Sequence, residues 1–175
     1  MIFDKIKLTD AFVIELEKQE DGRGFFARSW DQKIFQEHGL NPKLVQCNIS
    51  FNKKKGTLRG LHYQSTPFQE AKLIRCTKGR IFDVIVDLRP NSGTFKQWYG
   101  IELNEHNCKM IFAPEGFAHG FLTLEDNCEV FYQMSEYYVP ECAKGVRWND
   151  KTFDIQWPET PKILSERDSN YSDFQ

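Results

Sequence analysis

Ile81-Phe82-Asp83-Val84-Ile85-Val86-Asp87-Leu88 runs with a period of two. Its even positions are all apolar, whereas the odd positions mix Ile85 with Asp83 and Asp87. Successive strand side chains point to opposite faces, so one face packs in a core and the other is partly polar. Similar short segments recur on both sides of it: Phe12 to Leu16, Gly24 to Arg28, Leu44 to Phe51, Thr57 to Tyr63, Ala71 to Thr77, Trp98 to Leu103, Lys109 to Ala113, Gly120 to Leu124 and Glu129 to Met134. Breakers separate them: Asp21-Gly22, Gly56, Pro67, Gly79, Pro90-Asn91-Ser92-Gly93, Pro114 with Gly116, and Asp126-Asn127. Many short strands between regular turn signals predict an all-β antiparallel sandwich or barrel.

One helix is expected. Asp31 caps it, Ile34 and Phe35 face inward, and Gly39 stops it. Beyond Val139 the alternation is lost, and Pro158 and Pro161 mark a tail of short turns and loops packed over the body. With no repeat or linker, 175 residues read as one domain, residues 1–175.

Composition narrows the function. Lys and Arg number 23 against 25 Asp and Glu, a net charge of -2, so the basic surplus of a nucleic-acid binder is missing. No apolar run approaches the roughly 20 residues that span a bilayer. Met1 to Lys7 alternates apolar with charged residues and carries no signal-peptide core, so the expected compartment is the cytoplasm. The five cysteines, at 47, 76, 108, 128 and 142, are odd in number and form no C-x-x-C pair. They read mostly as buried free thiols rather than as a disulfide framework or a zinc site. The aromatic surplus, with 15 Phe, 6 Tyr and 4 Trp, suits either a β core or a stacking platform.

Some polar residues share strand parity with apolar ones. His62 lies in phase with Leu58 and Gly60, Lys72 with Ile74 and Cys76, Tyr132 with Val130 and Met134, and His119 with Phe121. Each alone has a structural explanation: a satisfied core histidine, a snorkelling lysine, a tyrosine with its hydroxyl at the rim. Together they supply a base, an acid and a cationic anchor, the parts for proton transfer beside a carbonyl. A metal centre built on adjacent strands needs a close His pair and a carboxylate, and Gly60-Leu61-His62-Tyr63-Gln64 holds a single His, so no metal is expected. Arg23, Arg59 and Arg167 are candidate phosphate grips. Arg59 has the wrong parity to join His62 unless a bulge at Gly60 turns one of them.

Several segments in order resemble the dTDP-4-dehydrorhamnose 3,5-epimerase family. They are Asp21-Gly22-Arg23-Gly24-Phe25-Phe26, Leu58-Arg59-Gly60-Leu61-His62-Tyr63-Gln64, Phe82 to Arg89, Pro114-Glu115-Gly116-Phe117-Ala118-His119-Gly120-Phe121, Trp148-Asn149-Asp150 and Leu164-Ser165-Glu166-Arg167-Asp168. The resemblance runs from about residue 5 to the C-terminus. It implies a cupin-type jelly roll, a homodimer, no cofactor and no metal. The implied substrate is dTDP-4-dehydro-6-deoxyglucose, epimerised at C3 and C5 through enolates of the C4 ketone.

Carried over by position, the resemblance makes His62 the base, Asp168 its partner, Tyr132 the acid and Lys72 the enolate anchor. Arg23, Gln46, Asn48, Arg59 and His119 match ligand contacts, with Arg59 and Arg167 beside the diphosphate and Phe26 and Tyr138 as base-stacking rings. Two positions depart from the common pattern: Arg28 and Ala143 stand where many members have Glu. Both resemble nucleotide or sugar contacts, so an epimerase of one centre only, or of another 4-keto nucleotide sugar, remains an alternative. So do a non-enzymatic nucleotide-sugar binding module and a metal-dependent cupin enzyme.

Overall fold

The computed structural model describes residues 1–174. Its strands, in chain order, are β1 (Ile2–Lys5), β2 (Phe12–Glu15), β3 (Gln19–Asp21), β4 (Gly24–Phe26), β5 (Gln46–Asn52), β6 (Leu58–Gln64), β7 (Lys72–Lys78), β8 (Arg80–Asp87), β9 (Trp98–Asn104), β10 (Met110–Ala113), β11 (Phe117–Thr123), β12 (Cys128–Met134) and β13 (Ala143–Gly145). Helix α1 (Gln32–Glu37) follows β4, and α2 (Glu166–Ser169) lies in the tail. Six strands pair in the order β1-β2-β10-β7-β12-β5, and five in the order β13-β6-β11-β8-β9. The β3–β4 hairpin stands apart.

The two large sheets close on a core that includes Ile74, Ile81, Ile85, Ile111, Phe117, Phe121 and Val130. This is the all-β sandwich that the strand spacing predicts. The mixed face of β8 is the inner one. Ile81 and Ile85 lie between the sheets, and Asp83 and Asp87, in phase with them, are fully buried. The apolar face is buried too: Val84, Val86 and Leu88 pack with Leu61, Val146 and Phe153, against Ile155, Trp157 and Phe174 of the tail. The tail therefore covers apolar surface that the five-stranded sheet would otherwise expose to water.

Helix α1 covers the outer face of the six-stranded sheet, where Phe35 and Leu40 join Phe12, Ile14, Leu73, Met110 and Phe112. Asp31 caps it as expected, its Oδ1 accepting the Lys33 and Ile34 N–H groups at 3.0 and 3.3 Å. Gly39 follows its end at φ +71°, the left-handed conformation that glycine adopts most easily.

Some boundaries differ from the sequence expectation. β11 starts at Phe117 rather than Gly120, because it pairs with β8 from Phe117↔Asp87 to Thr123↔Ile81. Ile2–Lys5 forms an edge strand against β2. The tail is more regular than turns and loops alone, since β13 pairs with β6 and α2 carries Asp168. All five cysteines are free, but only Cys76 and Cys128 are buried, whereas Cys47 is exposed on the outward face of β5. Burial, with the nearby Cys128 adding to it, pushes the Cys76 thiol up to about 12, so it packs as a small apolar group.

Candidate active site

A cleft of about 230 Å3 is lined from both sheets and the tail. Ser50 comes from β5, Arg59 and His62 from β6, Lys72 from β7, His119 and Phe121 from β11, and Tyr132 and Met134 from β12. Tyr138, Ala143, Lys144 and Arg167 close its outer side.

The backbone at Gly60 decides which side chains enter. His119 pairs with His62 but Phe121 pairs with Arg59, so two steps along β11 match three along β6. This bulge brings Arg59 and His62 into the same cleft despite their opposite parity. Only glycine fits the position. Gly60 has φ +134°, and a Cβ there would lie 2.5 Å from Gly120 Cα and 3.0 Å from the His119 carbonyl oxygen. Arg59 then donates from Nε to Asn52 Oδ1 on β5 at 2.7 Å.

His62 and Asp168 form a dyad. His62 Nε2 lies 2.7 Å from Asp168 Oδ1; the His62 side chain is 42% exposed and that of Asp168 is 6% exposed. Asp168 Oδ2 also accepts the Gly60 N–H at 3.3 Å, and the Ser165 hydroxyl accepts the Asp168 N–H at the start of α2. Burial raises the Asp168 carboxyl, but the hydrogen bond and charge of His62, with the Gly60 and Ser165 contacts, outweigh it and leave the carboxyl below its usual range. A carboxylate that accepts a hydrogen bond from Nε2–H leaves Nδ1 as the basic nitrogen. Tyr171 packs edge-on to the imidazole, with ring centroids 6.0 Å apart.

Lys72 is buried with two partners: its Nζ lies 2.8 Å from Glu70 Oε1 and donates to the His62 carbonyl at 3.1 Å. Burial pushes the Tyr132 phenol up, the positive charge of Arg59 pulls it back, and Glu70 adds to the rise. Such a phenol stays protonated at neutral pH and yields its proton only to a strong base. His119 is paired in turn, with Nε2 2.9 Å from Asp83 Oδ2. Complete burial raises the Asp83 carboxyl, and the charges of His119 and Lys72 counter that rise.

His62, Lys72, Tyr132, Arg59, His119, Tyr138 and Arg167 therefore share the cleft, and Asp168 stands behind His62. Gln46 and Asn48 lie beside it on β5: Gln46 Oε1 accepts the Tyr138 N–H at 2.7 Å, and Asn48 pairs across from Tyr132. Arg167 donates to the Ala143 carbonyl at 3.3 Å, and Ala143 lines the outer side. Arg23, Phe26 and Arg28 do not line this cleft. Arg23 pairs with Asp21 at the hairpin tip, Arg28 pairs with Asp31 at 3.0 Å, and Phe26 is 66% exposed.

Four contributors escape the sequence reading. Glu70 and Asp83 hold Lys72 and His119. Asn52 holds Arg59. Gln64 donates to the Phe68 and Tyr137 carbonyls and accepts the Val139 N–H, tying the loop after β6 to the segment after β12. The in-phase pair Glu70 and Lys72 is the signal that could reveal the first. Among the described residues, no group of three or more His, Cys, Asp or Glu side chains is placed to hold a metal ion.

The sequence profile of the dTDP-4-dehydrorhamnose 3,5-epimerase family matches residues 5–175. The chain is 45% identical over 172 residues to the dTDP-4-dehydrorhamnose 3,5-epimerase of Methanothermobacter thermautotrophicus, covering 97% of this chain and 92% of that one. It is similar to the crystal structure of the Bacillus anthracis enzyme of that name with TDP and PPi bound, at a TM-score of 0.95 and 42% identity, covering 99% of both chains. A Legionella pneumophila 3,5-epimerase in complex with dTDP-4-keto-L-rhamnose matches at a TM-score of 0.89 and 37% identity, covering 95% of this chain and 89% of that one. The sandwich is thus of the cupin type found in these epimerases.

Proposed function

The chain belongs to the dTDP-4-dehydrorhamnose 3,5-epimerase family, and on that premise we propose how its cleft performs the reaction. The enzyme converts dTDP-4-dehydro-6-deoxy-D-glucose into dTDP-4-dehydro-L-rhamnose in the cytoplasm, without a cofactor. The observation that carries the mechanism is one cleft holding a carboxylate-backed imidazole, a protonated phenol and a buried ammonium.

The C4 ketone makes the hydrogens on C3 and C5 acidic. His62 Nδ1 removes one of them, and the electron pair moves into the C4 carbonyl. Asp168 stabilises the resulting imidazolium through Nε2. Lys72 donates to the enolate oxygen, where the charge develops. Tyr132 returns a proton from the opposite face and inverts the centre. Once His62 has released its proton to solvent and Tyr132 has regained one from it, a change of ring conformation lets the same groups act on the second centre. Arg59 and Arg167 grip the diphosphate, His119, Gln46 and Asn48 contact the ligand, and Tyr138 stacks on the base.

The working unit is a homodimer. Arg23, Phe26 and Arg28 do not line their own cleft, and Phe25, Ile49 and Phe51 are exposed together with Phe26. Exposed apolar surface of this kind marks an association face. Pairing two chains lets the hairpin of one reach the cleft of the other, so that Phe26 of the partner subunit and Tyr138 enclose the base.

Incubation with dTDP-4-dehydro-6-deoxyglucose in D2O, followed by NMR, tests the reaction. Deuterium is expected at C3 and C5. His62→Ala is expected to abolish both exchanges, whereas Tyr132→Phe keeps some exchange without inversion. No exchange at either centre in the wild-type enzyme refutes the assignment; exchange at one centre makes it a mono-epimerase.

A further inference from the structure

Glu70 lies between the last strand residue of β6 and the first of β7, on a loop held at Phe68 by Gln64 and at Ala71 by Ser135. Its side chain is 3% exposed and lines the cleft. One carboxylate oxygen, Oε1, meets Lys72 Nζ at 2.8 Å, whereas Oε2 is buried and without a hydrogen-bond partner among the described residues. A buried carboxylate oxygen with no donor is costly, and such groups in native proteins call for an explanation. Lys72 shows the converse pattern. Two of its three N–H donors are accounted for, by Glu70 and by the His62 carbonyl, and one is left for a ligand.

Lys72 and Glu70 therefore stand side by side in the cleft wall as a donor and a carboxylate, with Oε2 turned away from solvent. An α-hydroxyketone offers the complement, a carbonyl acceptor next to a hydroxyl donor, with the two oxygens roughly 2.8 Å apart, close to ordinary hydrogen-bond spacing. We infer that Glu70 is a specificity-determining residue whose carboxylate turns on binding so that Oε2 accepts the hydrogen bond of the hydroxyl vicinal to the substrate ketone, while Lys72 donates to the ketone oxygen. This rests on the proposed function, which puts the ketone at Lys72. The substrate class it defines is a 4-keto sugar with a free 3-hydroxyl.

The two epimerised centres should feel Glu70 differently. Deprotonation at C3 gives an enediolate whose O3 and O4 lie in one plane on the same side, the arrangement that best matches the Lys72–Glu70 pair. Deprotonation at C5 leaves C3 tetrahedral and adds no hydroxyl to the enolate. An effect passing only through Lys72 would touch both centres equally, because they share the C4 oxygen.

The test measures deuterium exchange at C3 and C5 in D2O with saturating substrate, for the wild-type enzyme and for Glu70→Gln. Gln keeps the shape and removes the charge. The expected result is a fall of at least 10-fold in the ratio of C3 to C5 exchange. Equal falls at both centres would reduce Glu70 to a positioning residue for Lys72 and overturn the inference, as would an unchanged ratio.

Should the variant not fold, the wild-type enzyme serves with a nucleotide 4-keto-3,6-dideoxyhexose, which lacks the 3-hydroxyl. Its KM for C5 exchange should rise at least 10-fold, and an unchanged KM would overturn the inference. Wild-type enzyme that exchanges neither centre of the full substrate refutes the proposed activity and the inference with it. Exchange at both centres with a failed Glu70 arm removes only the inference.

Discussion

Replacing Gly60 by Ala tests how the fold builds the site. The new methyl group would sit 2.5 Å from Gly120 Cα and 3.0 Å from the His119 carbonyl oxygen, and both neighbours are backbone, which cannot swing aside. The residue would also have to hold φ +134°, a region that residues with a Cβ rarely adopt. Strain at such a backbone costs about 1–3 kcal/mol. Overpacking of a closed contact costs about the same again, which gives a total loss of about 2–6 kcal/mol. At ~2–4 °C per kcal/mol for a chain of this size, the melting temperature should drop by roughly 4–24 °C.

Urea unfolding and thermal melts at one protein concentration would measure both quantities. Gly93→Ala is the control, because nothing lies within 4 Å of a Cβ there and its φ is not positive. Folded Gly60→Ala enzyme should also lose at least 10-fold in kcat, because relief of the clash moves β6 against β11 and carries His62 with it. A stability loss below about 1 kcal/mol, the size of an ordinary substitution, would refute the argument that this contact is closed.

Two further outcomes follow from the dyad and from the hairpin. Asp168 has a depressed carboxyl, so its contribution to stability is present above the unfolded value near 4 and is lost as the pH falls through the lower folded value. The gap in urea midpoint between wild type and Asp168→Asn should therefore hold at pH 5 and narrow towards pH 3, and a gap that widens would reverse the assigned sign. For the hairpin, Phe26→Ala and His62→Ala chains mixed and allowed to exchange subunits should regain activity above either parent, because one cleft in each hybrid has an intact His62 and Phe26 of the partner subunit. No gain would place Phe26 in its own chain's cleft or outside the site.

The strand pattern was legible because its causes are local. Period-two alternation and Gly or Pro breakers place β8, β7 and β12 within a residue or two, and Asp31 caps α1 as its side chain dictates. Which face of β8 turns inward was not legible, because both faces are buried. Tail residues more than sixty positions downstream cover the apolar one. Among site residues, parity picks out His62, Lys72, Tyr132 and His119, and all four meet in the cleft. Arg59 is different: its entry depends on a register shift against β11 that only tertiary pairing reveals. Glu70, Asp83 and Asn52 were hidden for another reason. Their importance lies in a single contact with a residue on another strand or loop, and only Glu70 leaves a local trace of it, in its two-residue spacing from Lys72. Asp168 was reached through the resemblance alone, since 106 positions separate it from His62.

That separation has a consequence for how the protein is made. His62 leaves the ribosome long before Asp168, and the strands of the sandwich are complete before α2 exists. A chain cut short within the tail can pair most of its strands, yet it lacks the carboxylate that orients the imidazole. It also lacks Phe174, part of the cover over the five-stranded sheet. Newly made chains therefore stay silent until Asp168 has been made. Proteolysis that removes Asp168 and the residues after it would produce molecules that resemble the enzyme by circular dichroism and fail in the assay.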